Sequence, residues 1–140
     1  MRWVPLVMVV LGNVVYHLGQ KSVPRGAHPL VATLGMYLVA AVATVALMPV
    51  VSPAPTRAAA AASWHWSVAL VGLGIVAIEV GFLLAYRMGW EISAASLTAS
   101  AAIAAILLPI GVFAYREAWS APRLLGLGLC VAGLWLIHRR

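Results

Sequence analysis

The sequence predicts an all-α polytopic membrane protein with five transmembrane helices, and three observations predict it. Hydrophobic residues make up 64% of the chain and charged residues 9%, with a mean hydropathy of +1.03. Soluble domains carry about 25% charged residues, so water is not the main solvent for this surface. The apolar residues fall into five runs, each near the ~20 residues a spanning helix needs, with short polar connections between them. Aromatic residues sit at the ends of the runs: Trp3, Trp64, Trp66, Tyr115 and Trp119 at one expected interface, Tyr86, Trp90 and Trp135 at the other. That is the aromatic belt of membrane helices.

The first helix is expected from Trp3 to Gln20, followed by a polar connection holding Lys21, Pro24, Arg25 and Gly26. The second runs from Pro29, a residue suited to a helix start, to Val51. The longest connection follows: Ser52-Pro53-Ala54-Pro55-Thr56-Arg57, which reads as extended at its start, then alanines to Ala62. The third helix covers Trp66 to Met88, and Gly89-Trp90-Glu91 make a tight turn. The fourth covers Ile92 to Tyr115, with a bend expected at Pro109, which lacks a backbone donor. Residues Arg116 to Ala121 turn the chain into a fifth helix, Pro122 to His138, before Arg139 and Arg140. The first and fifth helices are short for a bilayer, which local thinning or snorkelling ends accommodate. Met1-Arg2-Trp3 before an apolar run imitates a signal peptide, but no small-x-small cleavage site closes the run. A single transmembrane domain over residues 1–140 is expected, with no internal repeat.

The formal charge is +6 and the isoelectric point near 10.5. The basic residues are single or paired at helix ends and form no stripe, so they read as interfacial anchors and exclude nucleic acid as a partner. Five spans put the termini on opposite sides. One side receives Arg2, Arg57, Arg116 and Arg123; the other receives Lys21, Arg25, Arg87, Arg139 and Arg140. Orientation follows a Lys/Arg excess on the cytoplasmic side, and four against five is almost no excess. Two readings stand: a partner fixes orientation, or the chain inserts both ways and pairs head to tail, recreating the inverted repeat of secondary transporters.

The chain has three acidic residues, Glu79, Glu91 and Glu117. The last two lie at turns. Glu79 falls near the middle of the third helix, where a carboxylate costs about 2.5–3.5 kcal/mol on insertion scales. Its candidate same-helix partner, Arg87, lies eight residues away, about 12 Å along the axis and out of direct reach. A structural ion pair across helices and a protonatable site facing a cavity are both open. At about 1.5 Å per residue, Glu79, Asn13, Tyr37 and Ser100 lie at similar depths of roughly 10–13 Å.

On the first helix, Asn13, Tyr16, His17 and Gln20 follow i, i+3, i+4, i+7 spacing and form one polar stripe. Interhelical glue and cavity lining are both consistent with it. His17 reads as a hydrogen-bonding residue, since no second ligand stands at metal spacing. Ser93, Ser96 and Ser100 share a face of the fourth helix, permitting close packing or room for a solute. On the fifth, Gly126, Cys130 and Gly133 form a small-residue face suited to helix packing and a dimer contact. The lone Cys130 makes no intrachain disulfide. No phosphate loop, metal cluster or nucleophile–base set occurs, so no enzyme activity, metal or cofactor is expected.

The stretch Glu79-Val80-Gly81-Phe82-Leu83-Leu84-Ala85-Tyr86-Arg87-Met88-Gly89-Trp90 with Ile92-Ser93, the pairings Tyr16-His17 with Gln20-Lys21-Ser22, and Tyr37 with Ala40 resemble the drug/metabolite transporter superfamily. The likeness is to a single EamA-type five-helix unit of the small bacterial and archaeal branch, over nearly the whole chain. Gly126-Leu127-Gly128-Leu129-Cys130-Val131-Ala132-Gly133 is similar to the last helix of small multidrug resistance proteins, where it forms the dimer contact.

The resemblance implies an antiparallel homodimer, a ten-helix inverted-repeat bundle, in a prokaryotic inner membrane. It also implies a transporter, but not a substrate, since the superfamily moves many kinds of molecule; the membrane-embedded Glu79 adds the expectation of secondary-active, proton-coupled export of a small polar or cationic molecule. Glu79, Asn13, Tyr16, Tyr37, Ser96 and Ser100 are the expected proton and substrate residues. Small multidrug resistance proteins carry their essential glutamate on the first helix, so Glu79 does not inherit that role by position. Translocation of a lipid or lipid-linked sugar, and a non-transporting accessory subunit, are the alternatives.

Overall fold

The computed structural model describes residues 3–51, 57–118, 120–137 and 139. Among them the chain is helical, with no strand: α1 is Val4–Ser22, α2 Pro29–Val51, α3 Arg57–Ala62, α4 Trp66–Arg87, α5 Ile92–Tyr115 and α6 Ala121–Ile137. The expected bounds of α2 and α5 coincide with these. Two differ in substance. The first helix continues through Lys21 and Ser22, which the sequence reading put in the connection. The alanine run forms the short helix α3, as the high helix propensity of alanine favours. Arg2, residues 52–56, Trp119, His138 and Arg140 lie outside the described residues.

Local chemistry sets the helix ends. Pro29 opens α2, where its missing N–H costs nothing, and the His28 carbonyl accepts the Ala32 N–H at 3.0 Å. The Glu91 carbonyl accepts from Ala95 at 2.9 Å at the start of α5, and the Ser120 carbonyl accepts from Arg123 at 3.0 Å at the start of α6. α5 ends on Arg116 in the left-handed region, φ 54°, with its N–H donating to the Gly111 carbonyl. The Glu117 N–H reaches the same carbonyl at 3.0 Å.

Three helices are long and apolar enough to cross a bilayer: Pro29–Val50, Trp66–Arg87 and Ile92–Tyr115. α6, at 17 residues, is apolar but shorter. α1 has 19 residues, and Asn13, Tyr16, His17, Gln20 and Lys21 dilute its hydropathy. Among the described residues the buried hydrophobic side chains are Leu83, Tyr86 and Ala95, while large apolar side chains along every spanning helix are exposed. Monomers in water rarely show contiguous apolar patches beyond a few hundred Å². Such a surface belongs in a membrane, where outward-facing Leu and Val meet lipid tails.

The described residues fall into two compact units. In the first, α1 up to Leu18 joins the segment from Met88 onward, and α5 packs against α6. The second comprises Gly19–Arg87, in which α2 packs against α4 and the last turn of α1 takes part.

The turn after α4 depends on Gly89, whose φ of +97° suits glycine alone. Gly89→Ala is expected to lower stability by about 1–2 kcal/mol, read as an earlier midpoint in denaturant unfolding of the detergent-solubilised protein. An unchanged midpoint contradicts this turn conformation.

Candidate functional site

Glu79 stands on α4, within the 22-residue apolar segment Trp66–Arg87. Its carboxylate accepts a hydrogen bond from the side-chain amide of Gln20, from the last turn of α1. The same Gln20 nitrogen lies 3.4 Å from the Glu79 backbone carbonyl and 3.8 Å from the Met36 sulfur on α2. Gln20 is 2% exposed. One buried amide therefore ties three helices together at the carboxylate. A hydrogen bond to an ionised group in a low-dielectric setting is among the stronger kinds. Gln20 also carries no charge of its own at any pH, and its amide can donate or accept.

Two cations of this unit have contacts in the structure. Arg87, the same-helix candidate for an ion pair, donates from Nη2 to the Ala27 carbonyl in the α1–α2 connection. The Lys21 ammonium lies 5.3 Å from the centroid of the Tyr86 ring, within cation–π range. Tyr86 in turn stacks on Phe82, ring centroids 6.0 Å apart, one helical turn earlier on α4. These contacts hold the end of the second unit in place.

Two hydroxyls on α2 belong to the same unit. The side-chain oxygens of Thr33 and Tyr37 are buried with no hydrogen-bond partner among the described residues. Spaced i and i+4, they share a helix face, and Tyr37 lies within range of the Glu79 charge. An unsatisfied buried hydroxyl costs about 1–3 kcal/mol. Two on one face leave buried hydrogen-bonding capacity unused on α2.

In the first unit, Asn13 and His17 on α1 line a groove of about 430 Å³ with Ser96 and Ser100 on α5; Val9, Val10, Val14, Leu18 and Ile92 supply its apolar wall. Each helix contributes an i, i+4 polar pair. The Asn13 amide donates to its own Val9 carbonyl at 2.9 Å, leaving its carbonyl oxygen oriented away from that bond. The Ser96 hydroxyl donates to Ser93 at 3.2 Å. The Tyr16 ring meets His17 edge-on at 5.0 Å and 74°.

On α6, Gly126 and Cys130 are exposed and Gly133 is half-buried. A methyl group added at either glycine would meet nothing within 4 Å, so this small-residue face is uncovered within one chain.

Asn13, Ser96 and Ser100 thus share one groove, and Tyr16 supports its His17 wall. Glu79 and Tyr37 belong to the second unit, together with Gln20 and Thr33. Neither of these last two was singled out as a site residue from sequence. Gln20 ended the polar stripe on the first helix, which was its signal. Thr33 was legible only as a lone hydroxyl one turn before Tyr37 in an apolar run.

The Gln20–Glu79 bond predicts energetic coupling. In a double-mutant cycle with Gln20→Met and Glu79→Met, a coupling of about 1–2 kcal/mol is expected, toward the upper end for hydrogen bonds between membrane helices. Additive effects would show that the two side chains do not interact.

Comparison with protein-family models, with curated proteins and with solved structures finds no match to this chain.

Proposed function

We propose that the chain is a secondary-active, proton-coupled membrane transporter that exports a small polar or cationic molecule. It works as an antiparallel homodimer of five-helix units in a cell membrane. The observation that carries this reading is Glu79: a carboxylate within an apolar helix, held by an uncharged amide. Ionisable groups inside membrane segments are expensive and serve proton or substrate pathways more often than architecture.

In this mechanism, proton and substrate compete for the carboxylate. Ionised Glu79 attracts a cationic or hydrogen-bonding solute, with the Tyr37 and Thr33 hydroxyls as further partners. Protonation on the opposite side removes the charge and releases the solute. The groove with Asn13, Ser96 and Ser100 offers hydrogen bonds within apolar walls, as small-molecule sites usually do. With two subunits, the two Glu79 groups titrate as a pair.

Two features support pairing. The Gly126–Cys130–Gly133 face is uncovered. The near-even distribution of lysine and arginine gives no fixed orientation. α1 and α6 then serve as the remaining two spans, with the polar stripe of α1 turned toward the bundle and α6 at the subunit contact.

The test is transport in proteoliposomes with an imposed proton gradient, using ethidium, methyl viologen and spermidine as probes. Glu79→Gln is expected to abolish gradient-driven movement while chemical cross-linking still captures the dimer. Unchanged gradient-driven movement in Glu79→Gln contradicts the mechanism.

A further inference from the structure

We infer that Gln20 is a positioning residue whose amide reads the protonation state of Glu79, turning over when the carboxyl gains its proton. The inference deepens the transport reading and rests on it for its purpose, but its geometry stands apart.

With Glu79 ionised, the carboxylate only accepts, and Gln20 meets it with an N–H donor. With Glu79 protonated, one carboxyl oxygen becomes an O–H donor, and its best partner at that position is an acceptor. The Gln20 carbonyl oxygen supplies one through a half-turn of the terminal amide, with no displacement of the helix backbone. The turn also changes what the nitrogen touches: in the structure it is shared with the Glu79 backbone carbonyl and approaches the Met36 sulfur. Protonation of one group on α4 thereby alters contacts to α1 and α2 at once. An asparagine is one methylene too short to replace it, and a methionine fills the same volume without the hydrogen bond.

The other titratable or charged groups of this cluster are Lys21 on α1, Tyr37 on α2, and Tyr86 and Arg87 on α4. Lys21 sits over the Tyr86 ring and Arg87 on the Ala27 carbonyl. A Gln20 substitution leaves all four in the chain, so a change in the titration reports the amide.

Gln20 is the one glutamine in the sequence, so glutamine-selective ¹⁵N labelling gives a single side-chain amide resonance. The experiment uses the full chain in lipid nanodiscs. Infrared spectroscopy follows the protonated-carboxyl band that Glu79→Gln removes, and NMR follows the labelled amide across the same pH range. In the wild type, the amide shift is expected to change with the same midpoint as the infrared band. In Gln20→Met, loss of the donor to the carboxylate is expected to move the band's midpoint to higher pH by about one unit, tenfold in proton concentration. An amide resonance that stays constant while Glu79 titrates overturns the inference, and this measurement needs no variant of Gln20 to fold. So does a Gln20→Met protein that keeps the wild-type midpoint, since the bond to the ionised carboxylate is the stronger of the two and its loss raises the midpoint. Neither readout requires transport: if Glu79→Gln leaves flux unchanged, the transport reading fails while the amide's response is judged by itself.

Discussion

Inside an apolar slab, a carboxylate must be partnered or neutralised, and the hydrogen bond between Gln20 and Glu79 is how this chain meets that constraint. The bond joins the end of α1 to the middle of α4, and the shared nitrogen brings Met36 of α2 to the same point. The other buried side chains of this unit are Thr33 on α2, and Leu83 and Tyr86 one to two turns beyond Glu79 on α4. A chain with so little buried apolar surface gains little from the hydrophobic effect between its helices, because lipid tails are as apolar as leucine. Specific polar contacts therefore carry an unusual share of the organisation.

The choice of glutamine matters chemically. A lysine or arginine at that point would lock Glu79 as a permanent ion pair, and breaking a buried pair by protonation is costly. An aliphatic residue would leave the ionised form without a donor. An amide lies between these limits and tolerates both states of the carboxyl. Of the cations in this unit, Arg87 donates to a loop carbonyl and Lys21 lies over an aromatic ring.

Much of the fold was legible in the sequence because bilayer physics is simple. Twenty-odd apolar residues bounded by Pro29 and by Gly89 have few alternatives to a helix, and α2, α4 and α5 emerge within a residue of their expected bounds. α1 and α6 are less decisive: polar residues dilute one and length limits the other, so three spans stand on length and composition while five belong to the functional proposal. The extension of α1 through Lys21 was missed because a charged residue after an apolar run reads as a boundary, although its stem and ammonium can lie along an aromatic ring.

The site was legible in parts. Glu79 stood out by hydropathy alone, and the polar stripe of α1 by periodicity. What spacing could not show is which members of the stripe act together: Asn13 and His17 face α5, whereas Gln20, on the last turn, reaches Glu79. A side chain's partner across helices depends on packing, which one sequence does not encode in any local pattern. The most direct check on the account is labelling with dicyclohexylcarbodiimide, which modifies carboxyls protonated in apolar surroundings. In proteoliposomes, mass spectrometry is expected to find the adduct on Glu79, declining as pH rises, with Glu91 and Glu117 unmodified. Absence of the adduct on Glu79 across the whole pH range would contradict a membrane-embedded, protonatable carboxyl and the mechanism built on it.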